Sequence, residues 1–198
     1  LSGAIGIMLG DTCYFRSLQI LGLRKALIVS TTAPIFAAVL GYVLLDESVT
    51  VTVAVGILVT TGAVVWVVSD GRSTDEAPGL FPGSALAGVT AGVLGAICQA
   101  VGAVCSKIGM EDCDPVEAAL IRLSVSAVGA FLVVAALGQL KSVTTKLADV
   151  GLLRRFVPAV IAGTWLGIWL SQVAFKHTSV SVAITLLATT PLFAIPLV

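Results

Sequence analysis

The residues that could do chemistry in this chain are few, and most of them stand inside apolar runs. Asp11 lies in the middle of the first run, with Tyr14 three residues further on. Residues three apart share a helix face, so the pair would present a carboxylate and a phenol side by side. A carboxylate at the centre of a helix in lipid costs about 2.5–3.5 kcal/mol on insertion scales, and such groups usually face a bundle interior. Asp11 with Tyr14 is therefore a candidate to bind a cationic group of a solute or a coupling proton. The alternative is a polar contact to a neighbouring helix. Arg122, roughly two turns into a later run, offers a planar fork of donors suited to a carboxylate or phosphate. Alternatively, its long stem carries the charge to the interface, as Arg16 is expected to do. Asp11–Arg16 and Glu117–Arg122 are each five residues apart, roughly 140° around a helix, and so are poorly placed to pair within one helix.

Trp165, Trp169 and Gln172 follow at i, i+4 and i+7, one helical face that reads either as the wall of a solute cavity or as packing. Gln99 reads as a cavity ligand or an interhelical hydrogen bond, projecting within a stripe of Gly88, Gly92, Gly95, Gly102 and Gly109 that would let another helix approach closely. Pro34 and Pro191 stand inside apolar runs, where a proline removes a hydrogen bond and frees a carbonyl. Ser30, Thr31 and Thr32 beside the first, and Thr189 and Thr190 beside the second, carry hydroxyls that can restore part of that bonding. Both prolines are candidate hinges, the alternative being static kinks. His177, Asp46 and Glu47 fall at the ends of runs and read as boundary residues. Neither H-E-x-x-H nor a pair of intramembrane aspartates occurs, so the groups an intramembrane enzyme needs are missing. With one histidine and no C-x2-C, the four cysteines (Cys13, Cys98, Cys105 and Cys113) read as small buried hydrophobes. No metal and no cofactor is expected.

Lipid must be the solvent for the elements that carry these groups. The chain is 58% hydrophobic and 11% charged, with a mean hydropathy of +1.09, whereas a soluble domain carries about 25% charged residues. A formal net charge of zero gives no footprint for nucleic acid. A ruler of about 20 apolar residues marks seven spans: Leu1–Leu21, Ala26–Leu45, Val49–Val68, Ala85–Ser106, Pro115–Leu137, Phe156–Phe175 and Ser179–Val198. They are too continuous for barrel strands, so the fold class is all-α, a polytopic transmembrane helix bundle. No charged segment precedes the first span, so it does not read as a signal peptide. Both ends fall inside apolar runs, as in a fragment of a longer protein. Residues 69–84, polar and rich in Gly and Pro, read as a linker, and Gly138–Arg155 as a short amphipathic helix in the membrane interface. Counting the spans alternately, one side holds Arg24, Lys25, Arg72, Lys141, Lys146, Arg154 and Arg155, and the other Lys107 and Lys176.

The chain also repeats itself. Moved by 157 residues without a gap, Gly6, Leu9, Gly10, Ala26, Thr32, Pro34, Phe36, Ala37 and Leu40 fall on Gly163, Leu166, Gly167, Ala183, Thr189, Pro191, Phe193, Ala194 and Leu197. The first and sixth spans thus correspond. Each span reverses the direction of the one before it, and the sixth comes five steps after the first, an odd number, so the repeats must be inverted. That is the architecture of many secondary transporters, with the site near the midplane between the halves.

Ser17–Val67 and Ala174–Val198 resemble the signature of EamA-like permeases in the drug/metabolite transporter superfamily. Ala174, Thr178, Ser179, Ala183 and Pro191 fit the second copy. Ser17, Ala26, Pro34 and Glu47 fit the first, where Arg24 and Lys25 replace the usual small turn residues. Ala118–Ala130, with Arg122, resembles the start of the second helix in each repeat. The resemblance implies ten helices in two inverted halves, of which this chain would hold helices three to nine. Residues 1–68 would be the C-terminal part of the first repeat, 69–84 the linker, and 85–198 the second repeat without its last helix. It also implies a multi-pass integral membrane protein (in the cell membrane if the source is prokaryotic) that transports a small organic solute: a metabolite, amino acid or drug. The expected partners are that small-molecule substrate and the lipid bilayer, with a coupling proton and a homodimeric second copy as further candidates. An intramembrane enzyme, or a scaffold or sensor whose polar residues are all packing, stands as the alternative.

Overall fold

Backbone groups in hydrocarbon must be satisfied within their own segment, and every regular element among the described residues is helical. The computed structural model describes residues 2–70, 84–110, 113–136, 138 and 150–190. A π-helical stretch, Gly3–Leu9, leads into α1 (Gly10–Leu21). Gly22 then turns the chain at a φ of 81°, in the left-handed region that favours glycine. There follow α2 (Leu23–Ser30), α3 (Ala33–Leu45), α4 (Val51–Asp70), α5 (Ala85–Gly109) and α6 (Pro115–Ala136). The helix α7 (Val150–Val160) passes through a second π stretch, Ile161–Trp165, into α8 (Leu166–His177), and α9 (Val180–Leu187) comes last.

Four helical stretches among the described residues are long and apolar enough to cross a bilayer: Leu23–Leu45, Ala85–Gly109, Pro115–Ala136 and Phe156–His177. Val51–Trp66 is a shorter apolar helix. Large side chains such as Leu58, Trp66, Ile121, Phe131 and Leu132 are exposed, a surface that lipid accepts and water does not. The molecule is an all-α polytopic membrane helix bundle.

The helix boundaries differ from expectation in two places. The second span is not a continuous helix kinked at Pro34. It breaks after Ser30, and Pro34 sits in the first turn of α3, where a missing N–H leaves nothing unsatisfied. The hydroxyls act as expected: Ser30 Oγ donates to Leu27 O at 2.8 Å, Thr31 Oγ1 to Ile28 O at 2.6 Å and Thr32 Oγ1 to Val29 O at 2.8 Å. The sixth span starts earlier than Phe156, because α7 begins at Val150. Arg154 therefore lies in a helix that runs on to His177, not in a separate interfacial one. Pro158 forfeits its bond to the Arg154 carbonyl, and the helix widens to π geometry at Ile161 instead of ending. The remainder of the expected interfacial helix, most of the linker, and Pro191 with the rest of the seventh span lie outside the described residues.

The central helix is α5, which packs against the first π stretch, α1, α2, α3 and α8. Its glycines make this possible. Gly88 lies against Leu21, Gly92 against Ser17 and Val29, and Gly95 against the backbone of Gly10 and Tyr14. A Cβ on Gly102 would stand 2.6 Å from the Gly6 Cα, so the two backbones touch there as small-residue membrane interfaces do. Gly109, at the end of the stripe, faces open space. The buried core between α3, α5, α8 and α9 is built largely of alanine (Ala33, Ala37, Ala96, Ala100, Ala103 and Ala183) with Val104, Phe175 and Val180.

The 157-residue repeat is also a repeat of local structure. Within the first π stretch, Ala4–Met8 corresponds to the second π stretch, Ile161–Trp165. Helix α2 corresponds residue for residue to α9, and the turn at Thr31–Thr32 to that at Ala188–Thr189. Thr32 and Thr189 occupy equivalent positions, and each hydroxyl donates to the carbonyl three residues back, at 2.8 and 2.6 Å.

Candidate functional site

Helix α6 turns Ala119, Arg122 and Ser126 inward, three and four residues apart, while Leu120, Ile121 and Val125 face out. Arg122 is only 9% exposed. Its Nη1 donates to Ser106 Oγ of α5 at 3.1 Å. Its Nη2 occupies the space left by the absent side chain of Gly6, where a Cβ would come within 2.9 Å. Ser126 Oγ reaches the carbonyls of Gly3 at 3.1 Å and Arg122 at 2.7 Å, tying α6 to the first π stretch. Arg122 Nε is buried with no hydrogen-bond partner. A charged donor left unpaired in a dry interior is costly. Asp11 and Tyr14 are partly buried on α1. The ion pairs among the described residues lie elsewhere, at Lys107–Glu47 and Lys176–Asp114. The guanidinium therefore keeps its fork free of a carboxylate.

The face expected from Trp165, Trp169 and Gln172 divides. The two tryptophan rings stack, with centroids 6.3 Å apart and planes 17° from parallel. Trp165 is exposed, whereas Gln172 is fully buried. The π stretch ends at Trp165 and the chain continues as α-helix, so the three keep one face, which is covered at Gln172 and open at Trp165. Neither amide atom of Gln172 has a hydrogen-bond partner. Gln99 does not project within the buried glycine stripe; it is exposed on α5, although Gly95 and Gly102 are buried. Pro34 is fully buried, and His177 is the exposed last residue of α8. Among the described residues, no three His, Cys, Asp or Glu side chains come together.

A second polar cluster, at the end of the bundle, was not legible as a site in the sequence. Asp46, left-handed at a φ of 51°, folds the chain back so that Glu47 N donates to Gly41 O at 3.1 Å. The Glu47 carboxylate accepts the Val180 N–H with both oxygens, at 3.1 and 2.9 Å, and accepts from Lys107 Nζ at 2.6 Å. Lys107 Nζ also donates to Thr178 O at 2.6 Å. Lys176 Nζ donates to Cys113 O at 2.9 Å. A depression of about 440 Å³ opens there, lined by Leu45, Glu47, Lys107, Met110 and Lys176. The sequence signals were a glutamate just past a helix end and its place in the family signature, neither of which names its partners.

A family profile matches residues 1–69 and 86–197. The chain belongs to the EamA-like transporter family. No curated protein and no solved structure matches it. This EamA-like chain is thus a membrane transporter of the drug/metabolite superfamily and an integral multi-pass membrane protein. Its substrate is a small molecule, and its family is one of transporters, not enzymes.

Proposed function

We propose that the protein is a secondary carrier that moves a small organic solute bearing an anionic group, by alternating access between two inverted halves and without covalent chemistry. The observation that carries this reading is Arg122. It is buried where the second half (α5 and α6) meets the first (the Gly3–Leu9 stretch), with Nε unpartnered. A fork of charged donors held in a low-dielectric site can grip a carboxylate or phosphate in two-point fashion. Asp11 with Tyr14, on the neighbouring helix, would take a cationic group or a coupling proton. Gln172 would supply a donor and an acceptor, with Trp169 and Trp165 as an aromatic wall.

The inverted-repeat reading is supported by the recurrence of a π stretch, a short helix and a turn at one offset. The second copy begins five spans after the first, an odd step, which reverses its sense. The breaks at Thr31–Thr32 and Ala188–Thr189, ahead of Pro34 and Pro191, are the points where helices could bend as the mouths exchange. The test is counterflow of radiolabelled organic anions into proteoliposomes holding the full-length protein. Saturable, gradient-driven exchange that Arg122→Gln abolishes is expected. Exchange equal in Arg122→Gln and wild type would end the assignment of the site. An Asp11→Asn protein with unchanged rate and pH dependence would exclude the proton role.

A further inference from the structure

We infer that Glu47 and Lys107 form a latch between the two halves, closing one mouth of the pathway and parting when that mouth opens. The latch joins four elements. Glu47 follows α3, Lys107 stands in the last turn of α5, Thr178 ends α8 and Val180 begins α9. All four junctions lie on the side of the bundle to which the sequence assigns Lys107 and Lys176.

The helix end it holds shows why this is more than a local cap. A helix N-terminus is ordinarily capped by its own Ser, Thr, Asp or Asn. Ser179 stands at that position of α9, yet its side chain makes no capping bond. Its Oγ lies 3.3 Å from Ser181 Oγ instead. The N–H of Val180 is satisfied by a carboxylate from the other half of the chain. The last carbonyl of α8 is likewise taken by Lys107. Charges alternate through the cluster: the positive end of α9, the carboxylate, the ammonium and the negative end of α8. The first half thus completes a helix terminus of the second only while the mouth is shut.

The degree of burial suits a contact that must both hold and release. The Glu47 and Lys107 side chains are 13% and 26% exposed. Fully exposed pairs hold little, and deeply buried ones are costly to break. Here the adjoining depression lets water reach the pair as it separates. Met110, 3% exposed, lies beneath it and would be uncovered.

The latch's role as a gate rests on the carrier reading; its existence as a releasable contact does not. The test uses full-length protein in oriented vesicles, with the native cysteines replaced and Met110→Cys as reporter. A membrane-impermeant maleimide is added to either face. The parent protein should label slowly. Glu47→Gln and Lys107→Met should each speed labelling from one face at least tenfold, Glu47→Ala most of all, and Lys107→Arg should stay near the parent rate. Should Glu47→Ala not fold, Glu47→Gln carries the comparison, because its amide oxygen still accepts from Val180. Cys113 alone, half-buried beside Lys176, is a second reporter. Rates within twofold of the parent in monodisperse Glu47→Gln and Lys107→Met proteins would make the contact a fixed staple and overturn the latch. No solute enters this measurement. If labelling accelerates and flux assays find no transported solute, the latch stands and only the carrier reading falls.

Discussion

Arg122 and Gln172 are buried with polar atoms that nothing in the described structure satisfies, and each such atom costs a fold about 1–3 kcal/mol. Replacing Gln172 by leucine removes that cost at similar volume. The Gln172→Leu protein is therefore expected to be about 1–3 kcal/mol more stable, read as a higher melting temperature in detergent, while solute flux falls. A variant stabilised with flux intact would make Gln172 a packing residue. Arg122→Lys keeps the charge but loses the planar fork that can hold Ser106 with one nitrogen and grip an oxyanion in two-point fashion with the others. Loss of a charged hydrogen bond of about 1.5–3 kcal/mol corresponds to roughly tenfold or more in flux, measured as initial counterflow rate on folded protein. Both residues were legible in the sequence because a charge or an amide inside an apolar run is rare. Glu47 was not, because a glutamate just past a helix end ordinarily meets water, and its partner is 133 residues away.

At the scale of elements, the glycines of α5 and α4 do different work. Gly102 meets the backbone of Gly6, which cannot swing aside as a side chain can, whereas Gly56 and Gly62 on α4 have nothing within 4 Å. Gly102→Ala should destabilise by about 1–3 kcal/mol through overpacking. Gly62→Ala should stabilise by about 0.5–1 kcal/mol, because it only restricts the unfolded chain. Thermal melts of the two variants check the contrast, and equal effects would mean that the α5 stripe is not a contact seam. The break before Pro34 is held by three hydroxyl bonds, from Ser30, Thr31 and Thr32, as well as by the proline. Pro34→Ala should therefore change stability by less than about 1 kcal/mol yet slow exchange if the break is a hinge. An unchanged turnover number would reduce it to a static turn. The stripe could be read from spacing. The break could not, because a proline in an apolar run is compatible with either a kink or a restart.

Over the whole molecule, the two copies share local structure but not surroundings. Gly6 and Gly10 are packed on α5, whereas among the described residues nothing stands against their equivalents Gly163 and Gly167. The same helix-and-turn unit therefore meets different neighbours in its two settings. In the proposed site the charged groups belong to one setting, Asp11 standing on the first copy and Arg122 packing against its Gly6. A carrier built this way should show unequal affinity from its two faces. Half-saturation concentrations for influx and efflux in oriented proteoliposomes test this, and equal values would argue that the second copy contributes a matching set of contacts.

Hydropathy, helical spacing and the 157-residue offset sufficed for the solvent, the fold class, the recurring local structure and the choice of Arg122 as a candidate. Each of these follows from local or periodic constraints, above all that a backbone in lipid must bond within its own segment. Which faces meet was decided only by packing. Gln99 turned outward and Gln172 inward, α2 parted from α3, and Glu47 crossed to cap Val180. Such choices depend on how closely backbones approach at glycines and on charges brought together from distant parts of the chain, and no pattern along the chain encodes either.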